Sequence, residues 1–583
     1  MNMIATRLEK LRHEMSLRGL DALIVFHSDP HLSEYMHGHF KCREWLSGFS
    51  GSYGFMVVTK SRSALWTDSR YTVQAAMQLK GTEIEIIQDR LPDTLHYTNW
   101  LKQEFTTGAK VGMDSRLVSI QEYQYLSDVS DFEWIDCGDL FAVIADDRDP
   151  FLLNEVMDHP VTFSGKAREE KIEELRTFMK SHHMDHYVVS ALDEIAWLLN
   201  LRGSDIPFNP VFYSYVIVSA NKITLFSNGG MDSLLSESLD IMGVEIKAYD
   251  LFYDTLSQLN GTVGLDASKA TQKIVFSLKS EPLFVSSPIT KAKAIKNDVE
   301  LKGAEEAHVE DAKALFAFWK WLDENQQKGY TEYEIGRKVN EFRSVSSSFV
   351  QDSFAPIVGF NENGAIVHYS ASEESKSVKG NGMLLIDSGG QYLMGTTDIT
   401  RTYAIGTPSN EMKEDYTRVL KGMIALSQAV FPKGYAGCHL DILARTALLA
   451  ERTNYGHGTG HGVGSYLNVH EGPMSIRPDY NQEPLCPGQV LSNEPGVYRE
   501  GAYGIRIENL ISVVEDITNE FGAFYSFKSL TLFPIDLKLV AKELLTKEEI
   551  QWVNDYHDHI RKELSNKIDN SLKDILHSKT MHL

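Results

Sequence analysis

The chain has 583 residues, is 43% hydrophobic and 23% charged, and carries a net charge of −23. That length calls for several domains of roughly 100–200 residues each, and the charge is spread along the chain, so nucleic acid and anionic lipid, which reward basic patches, are excluded as main partners. The four cysteines, Cys42, Cys137, Cys438 and Cys486, form no C-x-x-C pair, which reads as a thiol-containing intracellular protein rather than a disulfide framework.

The amphipathic start "MNMIATRLEKLRHEMSLRGL" lacks the apolar core of a signal peptide. No run approaches the ~18 apolar residues of a membrane helix, so a cytoplasmic protein is expected. Residues 6–35 suggest a helix, a strand and "SDPHLSEY"; residues 167–198 repeat helix, strand ("HYVVS") and "ALDEIAWL". The first copy runs on through "SGFSGS" to strand-like "YGFMVVT" and "SALWTDS". The second runs through "NLRGSDIP" to "YSYVIVSA" and "KITLFS". The echo predicts two related α/β domains, 1–155 and 156–294. A third domain, 295–583, is expected to be mixed α+β. A long helical period over 298–327, helices over 411–430 and 440–453, and strands in "GMLLIDSGG", "DITRTYAI", "QVLSNEPGVY" and "YGIRIENLISVVE" are predicted there. A capping box of Thr546 and Glu549 opens a helical C-terminal tail.

The suggestive polar residues all lie in the third domain. Asp387 ends the apolar strand "MLLIDSGG" and Asp398 follows eleven residues later in "GTTDITRT"; with a turn between, the two carboxylates can face one another on an antiparallel ribbon. An Asp entering a Gly-Gly turn is equally a turn residue. Glu494 follows an apolar segment in "LSNEPGVY". In "YGIRIENLISVV" a period of two sets Ile505 and Ile507 on one face and Arg506 and Glu508 on the other; a surface strand with an Arg–Glu pair is the plainer alternative. "NYGHGTGHGVGSYLNVHEGP" places His457, His461 and His470 among glycines. Helical spacing of histidines is ruled out there, because each interior glycine costs a helix about 1 kcal/mol; a glycine-rich turn or irregular strand that brings imidazoles together is expected. If four carboxylates and one imidazole converge, they need cations. Mostly oxygen ligands with one nitrogen suit manganese, with cobalt or zinc as alternatives, and shared carboxylates can bridge a pair of ions.

"DSGGQYLMGTTDITRT", "HGTGHGVGSYLNVHEGP", "NEPGVY" and "GIRIEN", with "NGAIVHY" upstream, occur in this order. The chain resembles the Xaa-Pro aminopeptidases (aminopeptidase P), metallopeptidases of the pita-bread fold shared with prolidase and creatinase. "REWLSGFSGSYG", "LWTDSRY", "ALDEIAWLLNLRGSDIPFNPVFYSY" and "LTLFPIDLKLV" extend the likeness to the three-domain cytosolic type. The resemblance implies two creatinase/prolidase N-terminal-like domains before a pita-bread catalytic domain with a helical tail, and a homodimer. It implies metal ligands Asp387, Asp398, His461, Glu494 and Glu508, with Asp398 and Glu508 bridging two divalent ions, most simply Mn2+. His368, His457 and His470 fall on substrate-side positions, Glu494 on the general base, and Arg506 beside the bridging Glu. The implied activity is hydrolysis of the bond between an N-terminal residue and a following proline by a hydroxide held between the ions. The partners are then peptides with proline second, with no nucleic acid and no membrane. Met394 stands where many relatives carry a polar residue, at a position that is no ligand. Prolidase, an X-Pro dipeptidase, is the rival enzyme; a non-catalytic pita-bread binding protein is the rival of another class, disfavoured because all five ligands are present.

Overall fold

The computed structural model describes residues 3–89, 94–105 and 107–583. The chain forms two compact bodies: residues 1–159 with 166–289, and residues 160–165 with 290–583.

The first body is built on two six-stranded sheets. One contains β1 (Ala22–Val25), β2 (Phe55–Thr59), β3 (Ser63–Thr67), β4 (Glu85–Gln88), β5 (Lys110–Met113) and β6 (Glu133–Asp136), in the order β4-β3-β2-β1-β5-β6. The other contains β7 (His186–Val189), β8 (Tyr215–Ser219), β9 (Ile223–Phe226), β10 (Val244–Lys247), β11 (Val263–Leu265) and β12 (Leu283–Phe284), in the order β10-β9-β8-β7-β11-β12. Strand order and direction repeat without change. The β1/β2/β3 and β7/β8/β9 meanders are antiparallel, and the flanking pairs are parallel. The helix preceding each first strand, α1 (Met3–Leu17) and α2 (Arg168–Ser181), buries one stripe (Leu8, Leu11 and Met15; Ile172, Leu175 and Met179), as the period of 3.6 requires. The echo in the sequence is thus a repeated topology. The outer parallel strands β4–β6 and β10–β12 carried no sequence signal, because several are short, half-exposed and lack an apolar alternation.

The second body opens with α3 (Asp298–Asn325). Asn297 and Glu300 form its capping box, and the Asn297 side-chain amide also donates to the Ser164 carbonyl, 2.9 Å, which ties residues 160–165 to this body. α4 (Glu332–Arg343) follows. β13 (Ile357–Phe360), β14 (Gly382–Ser388) and β15 (Ile399–Ile405) make an antiparallel sheet in that order. α5 (Asn410–Ser427) and α6 (Asp441–Ala450) cover the core, with Tyr416, Leu420 and Met423 buried. β16 (Phe431–Pro432), β17 (Gly460–Gly462), β18 (Glu471–Ile476), β19 (Val490–Asn493), β22 (Asn509–Asn519) and β23 (Gly522–Ser529) form a curved sheet ordered β16-β23-β22-β19-β17-β18; β20 (Gly496–Arg499) and β21 (Tyr503–Arg506) pair separately. α7 (Lys547–Leu564) starts at the expected Thr546–Glu549 capping box. The four cysteines are free thiols. Among the described residues no helix is long and apolar enough to cross a membrane.

Candidate metal centre

The antiparallel β14/β15 pair does what the Asp387–Asp398 spacing suggested. Asp387 lies opposite Thr400, and Asp398 sits just before β15. The ten residues between them include two short strands, Gly390–Tyr392 and Gly395–Thr396, joined through a turn that holds Met394. β21 approaches from the side. The Arg506 guanidinium donates to one oxygen of Asp387, at 2.6 and 3.1 Å, and to the Thr400 hydroxyl, 3.2 Å. Thr400 in turn donates to Glu508, 2.7 Å, whose backbone N–H bonds the Thr400 carbonyl.

His461 and Glu494 arrive on the curved sheet. β17 pairs with β19, the Glu494 N–H donates to the Thr459 carbonyl, 2.8 Å, and Ser492 bridges the two by accepting from His461 N–H and donating to Glu494. His461 Nε2 lies 3.5 Å from both Asp398 and Glu494. Asp398, His461 and Glu508 each offer a ligand atom within 4.8 Å of the others. Asp387, Asp398, Arg506 and Glu508 are buried, Glu494 and His461 nearly so. Ile505, Arg506, Ile507 and Glu508 are all buried, which excludes the surface-strand alternative, and Arg506 and Glu508 both meet the Thr400 hydroxyl.

Four carboxylates in so little solvent repel one another's charge. Burial and the neighbouring acids push Glu508 far above the carboxylate range. Burial lifts Glu494 to about 7 against the pull of His461 and Arg506, and it raises Asp387 against Arg506. For His461, burial works downward, but the bond to Asp398 and the charges of Glu494 and Asp398 outweigh it and raise its pKa to about 9. The same crowding that draws a proton to this spot draws a cation. One oxygen each of Asp387 and Asp398 is buried without a hydrogen-bond partner, a costly state for a carboxylate and the expected one for a ligand oxygen. The donor set fits divalent ions.

Of the three remaining histidines, His470 and His457 reach this cluster or its partners. The His470 ring packs against His461 at 4.4 Å between centroids, edge to face. His457 Nε2 meets the Tyr498 hydroxyl at 2.8 Å, which accepts from Arg506 at 2.6 Å. His368 follows the turn Asn361–Ala365 and is half-buried. Tyr498 and Thr400 are the polar links that sequence reasoning missed; both stood inside quoted motifs, but neither an aromatic nor a threonine on a strand announces a polar contact. The glycines also have a packing role. A Cβ on Gly460 would come 2.0 Å from the Ser492 carbonyl and one on Gly462 2.6 Å from the Glu471 carbonyl, so they let neighbouring strands close on the histidine strand.

Fold and site together define a metallopeptidase. Residues 302–515 match the model of metallopeptidase family M24, residues 7–144 and 147–300 match creatinase/prolidase N-terminal domains, and residues 523–583 match the C-terminal region of peptidase M24. The Xaa-Pro aminopeptidase 1 of Dictyostelium discoideum is 41% identical over 96% of this chain and 92% of its own. The crystal structure of an X-prolyl aminopeptidase from Caenorhabditis elegans, described as a cytosolic enzyme with a di-nuclear active site, superposes with a TM-score of 0.94 at 34% identity over the full length of both chains. A Bacillus anthracis Xaa-Pro dipeptidase superposes with a TM-score of 0.51 at 25% identity over 99% of its own chain but only 64% of this one. The chain belongs to the Xaa-Pro aminopeptidases of metallopeptidase family M24, and it is a metal-dependent aminopeptidase.

Proposed function

We propose that the chain removes the first residue of peptides that carry proline second, as a cytoplasmic homodimer with two divalent ions, Mn2+ by preference, in each chain. Asp387, Asp398, His461, Glu494 and Glu508 would hold the ions. The observation that carries this reading is the meeting of Asp398, His461 and Glu508 within 4.8 Å, beside carboxylate oxygens that are otherwise unpartnered. Oxygen-rich ligation favours manganese over softer-site metals. The cytoplasmic and dinuclear parts are supported by the description of the nematode enzyme. The domain limits we propose are 155/156 and 294/295; the second sheet ends at Phe284 and α3 begins at Asp298.

The bond before proline has a tertiary amide nitrogen with no N–H to hold, so recognition must work from the carbonyl side. When bound, the ions polarise the scissile carbonyl and acidify a water near neutral pH. Glu494 accepts the proton of the attacking water, the role of a general base. His470, against His461, and His368 stabilise the oxyanion side and pass a proton to the proline nitrogen as it leaves. His457, fixed through Tyr498 to Arg506, faces the substrate. The acidic ligands hold the free α-amine of the first residue, which confines cleavage to the N-terminus. Incubation of the manganese-loaded protein with X-Pro-Y, X-Pro and X-Ala-Y peptides tests the reading: tripeptide turnover far above the other two is expected. Preference for the X-Pro dipeptide would make it a prolidase, and no turnover of any a binding protein.

A further inference from the structure

Behind His470 lies a cluster of charge that the reaction does not use. Glu471 is buried, and both Lys293 and Lys296 donate to its carboxylate, one to each oxygen. The three side chains have 0–2% exposure. Lys296 also donates its N–H to the Gly488 carbonyl, 2.9 Å, and feels the charge of Glu300, which caps α3. Taking three charges out of water costs several kcal/mol for each before any return, and apolar replacements of buried ion clusters are often neutral or stabilising. Fold stability alone therefore does not account for the cluster. What it can do is fix a position.

The backbone gives the position. Glu471 pairs with Gly462 across the antiparallel β17 and β18, so the backbone at Glu471 is tied to the residue next to His461. His470 lies in the bend that leads into β18, one residue before Glu471. With the Glu471 carboxylate clamped by two lysines, the adjoining backbone from which the His470 ring reaches His461 is held in place. We propose that Lys293, Lys296 and Glu471 are positioning residues for His470, so that the segment leading into α3 is part of the machinery that aims a substrate-side imidazole. This inference rests on the activity proposed above.

The test is Glu471→Gln in the full-length protein, which keeps the shape and removes the charge, alone and combined with His470→Ala. A group that only aims His470 leaves ground-state binding alone. Turnover of X-Pro-Y should fall about 10–100-fold, the usual cost of a misplaced reacting group, with KM within about twofold and metal content unchanged. In the His470→Ala background the same change should cost less than about twofold, since coupled residues are not additive. Equal losses in both backgrounds, a loss confined to KM, or lost metal would overturn the proposal. Amide hydrogen exchange over residues 469–473 decides the clamp whatever the enzyme cleaves: faster exchange there than in β22 supports it, unchanged exchange overturns it. Failure of the wild-type protein to cleave X-Pro-Y with the exchange change present would sink only the activity. Should Glu471→Gln not fold, the combined K293M/K296M/E471L change leaves no buried charge; the same loss in turnover is expected from it, and full turnover overturns the proposal.

Discussion

Asp398 sits where the two halves of the site meet, 3.5 Å from His461 and within ligand distance of Glu508. A neutral amide there cannot balance the charge of two cations. Asp398→Asn is expected to lose metal and activity together; a purified variant with two ions per chain and normal turnover would show that it bridges nothing. The glycine-rich strand is expected to split in two by phenotype. His470→Ala should keep its metal and lose rate by a factor on the order of 10²–10⁴, the worth of a positioned acid–base group, whereas His461→Ala should weaken metal binding, measured by calorimetric titration. The reverse pattern would exchange their roles. At this scale much was legible in the sequence: Asp387, Asp398, His461, Glu494 and Glu508 stand beside apolar runs that gain nothing from charge, and the structure brings all five to one place. Lys293, Lys296 and Glu471 were not legible. A lysine in a linker looks solvated in sequence, and only the tertiary fold shows its ammonium buried.

Elements with their own local signal were visible from sequence, and those formed by long-range pairing were not. The Thr546–Glu549 capping box and the long helical period that begins at Asp298 mark α7 and α3 within a few residues. β4, β5 and β6 owe their state to parallel partners far along the chain, so no local pattern marks them. Backbone crossings are equally silent in sequence. Gly504 on β21 passes so close to the turn Asn361–Ala365 that a Cβ would lie 1.7 Å from the Gly364 carbonyl, and Gly359 and Gly364 meet in the same way. This crossing sets the turn before His368 against the strand that ends in Arg506. Gly504→Ala must push the two apart, at a cost of about 1–3 kcal/mol by analogy with overpacked cores. It should also reduce turnover, since His368 and Arg506 move together. Denaturant unfolding of the variant beside wild type checks this, and equal stability would mean that the crossing has slack.

For the molecule as a whole, each body carries a buried neutral histidine, and this sets a common response to acid. In the first body His31 bonds the Ser190 carbonyl and the Tyr249 hydroxyl, both at 2.7 Å, and so joins residues of the two repeated α/β units. In the second body His557 accepts from the Ile535 N–H, 3.2 Å, and donates to the Met581 carbonyl, 3.0 Å, fastening α7 and the end of the chain. Burial depresses both to about 4, against opposing pulls from Asp29 and from the Met581 carbonyl. A histidine held below its unfolded value near 6.5 binds protons more readily when unfolded. Its contribution is present above pH 6.5 and is lost as pH falls toward 4, about 3 kcal/mol for each residue at the limit. Acid should therefore weaken both bodies over the same window, before most exposed carboxylates titrate. Replacement separates them: His557→Gln gives up its bonds at pH 7 but has no proton to gain. Its stability deficit against wild type should shrink by about 3 kcal/mol between pH 7 and 4 in the second body alone, followed by hydrogen exchange in β22 for that body and in β8 for the first. A deficit in β22 that stays constant across this range would show that His557 does not carry the acid response.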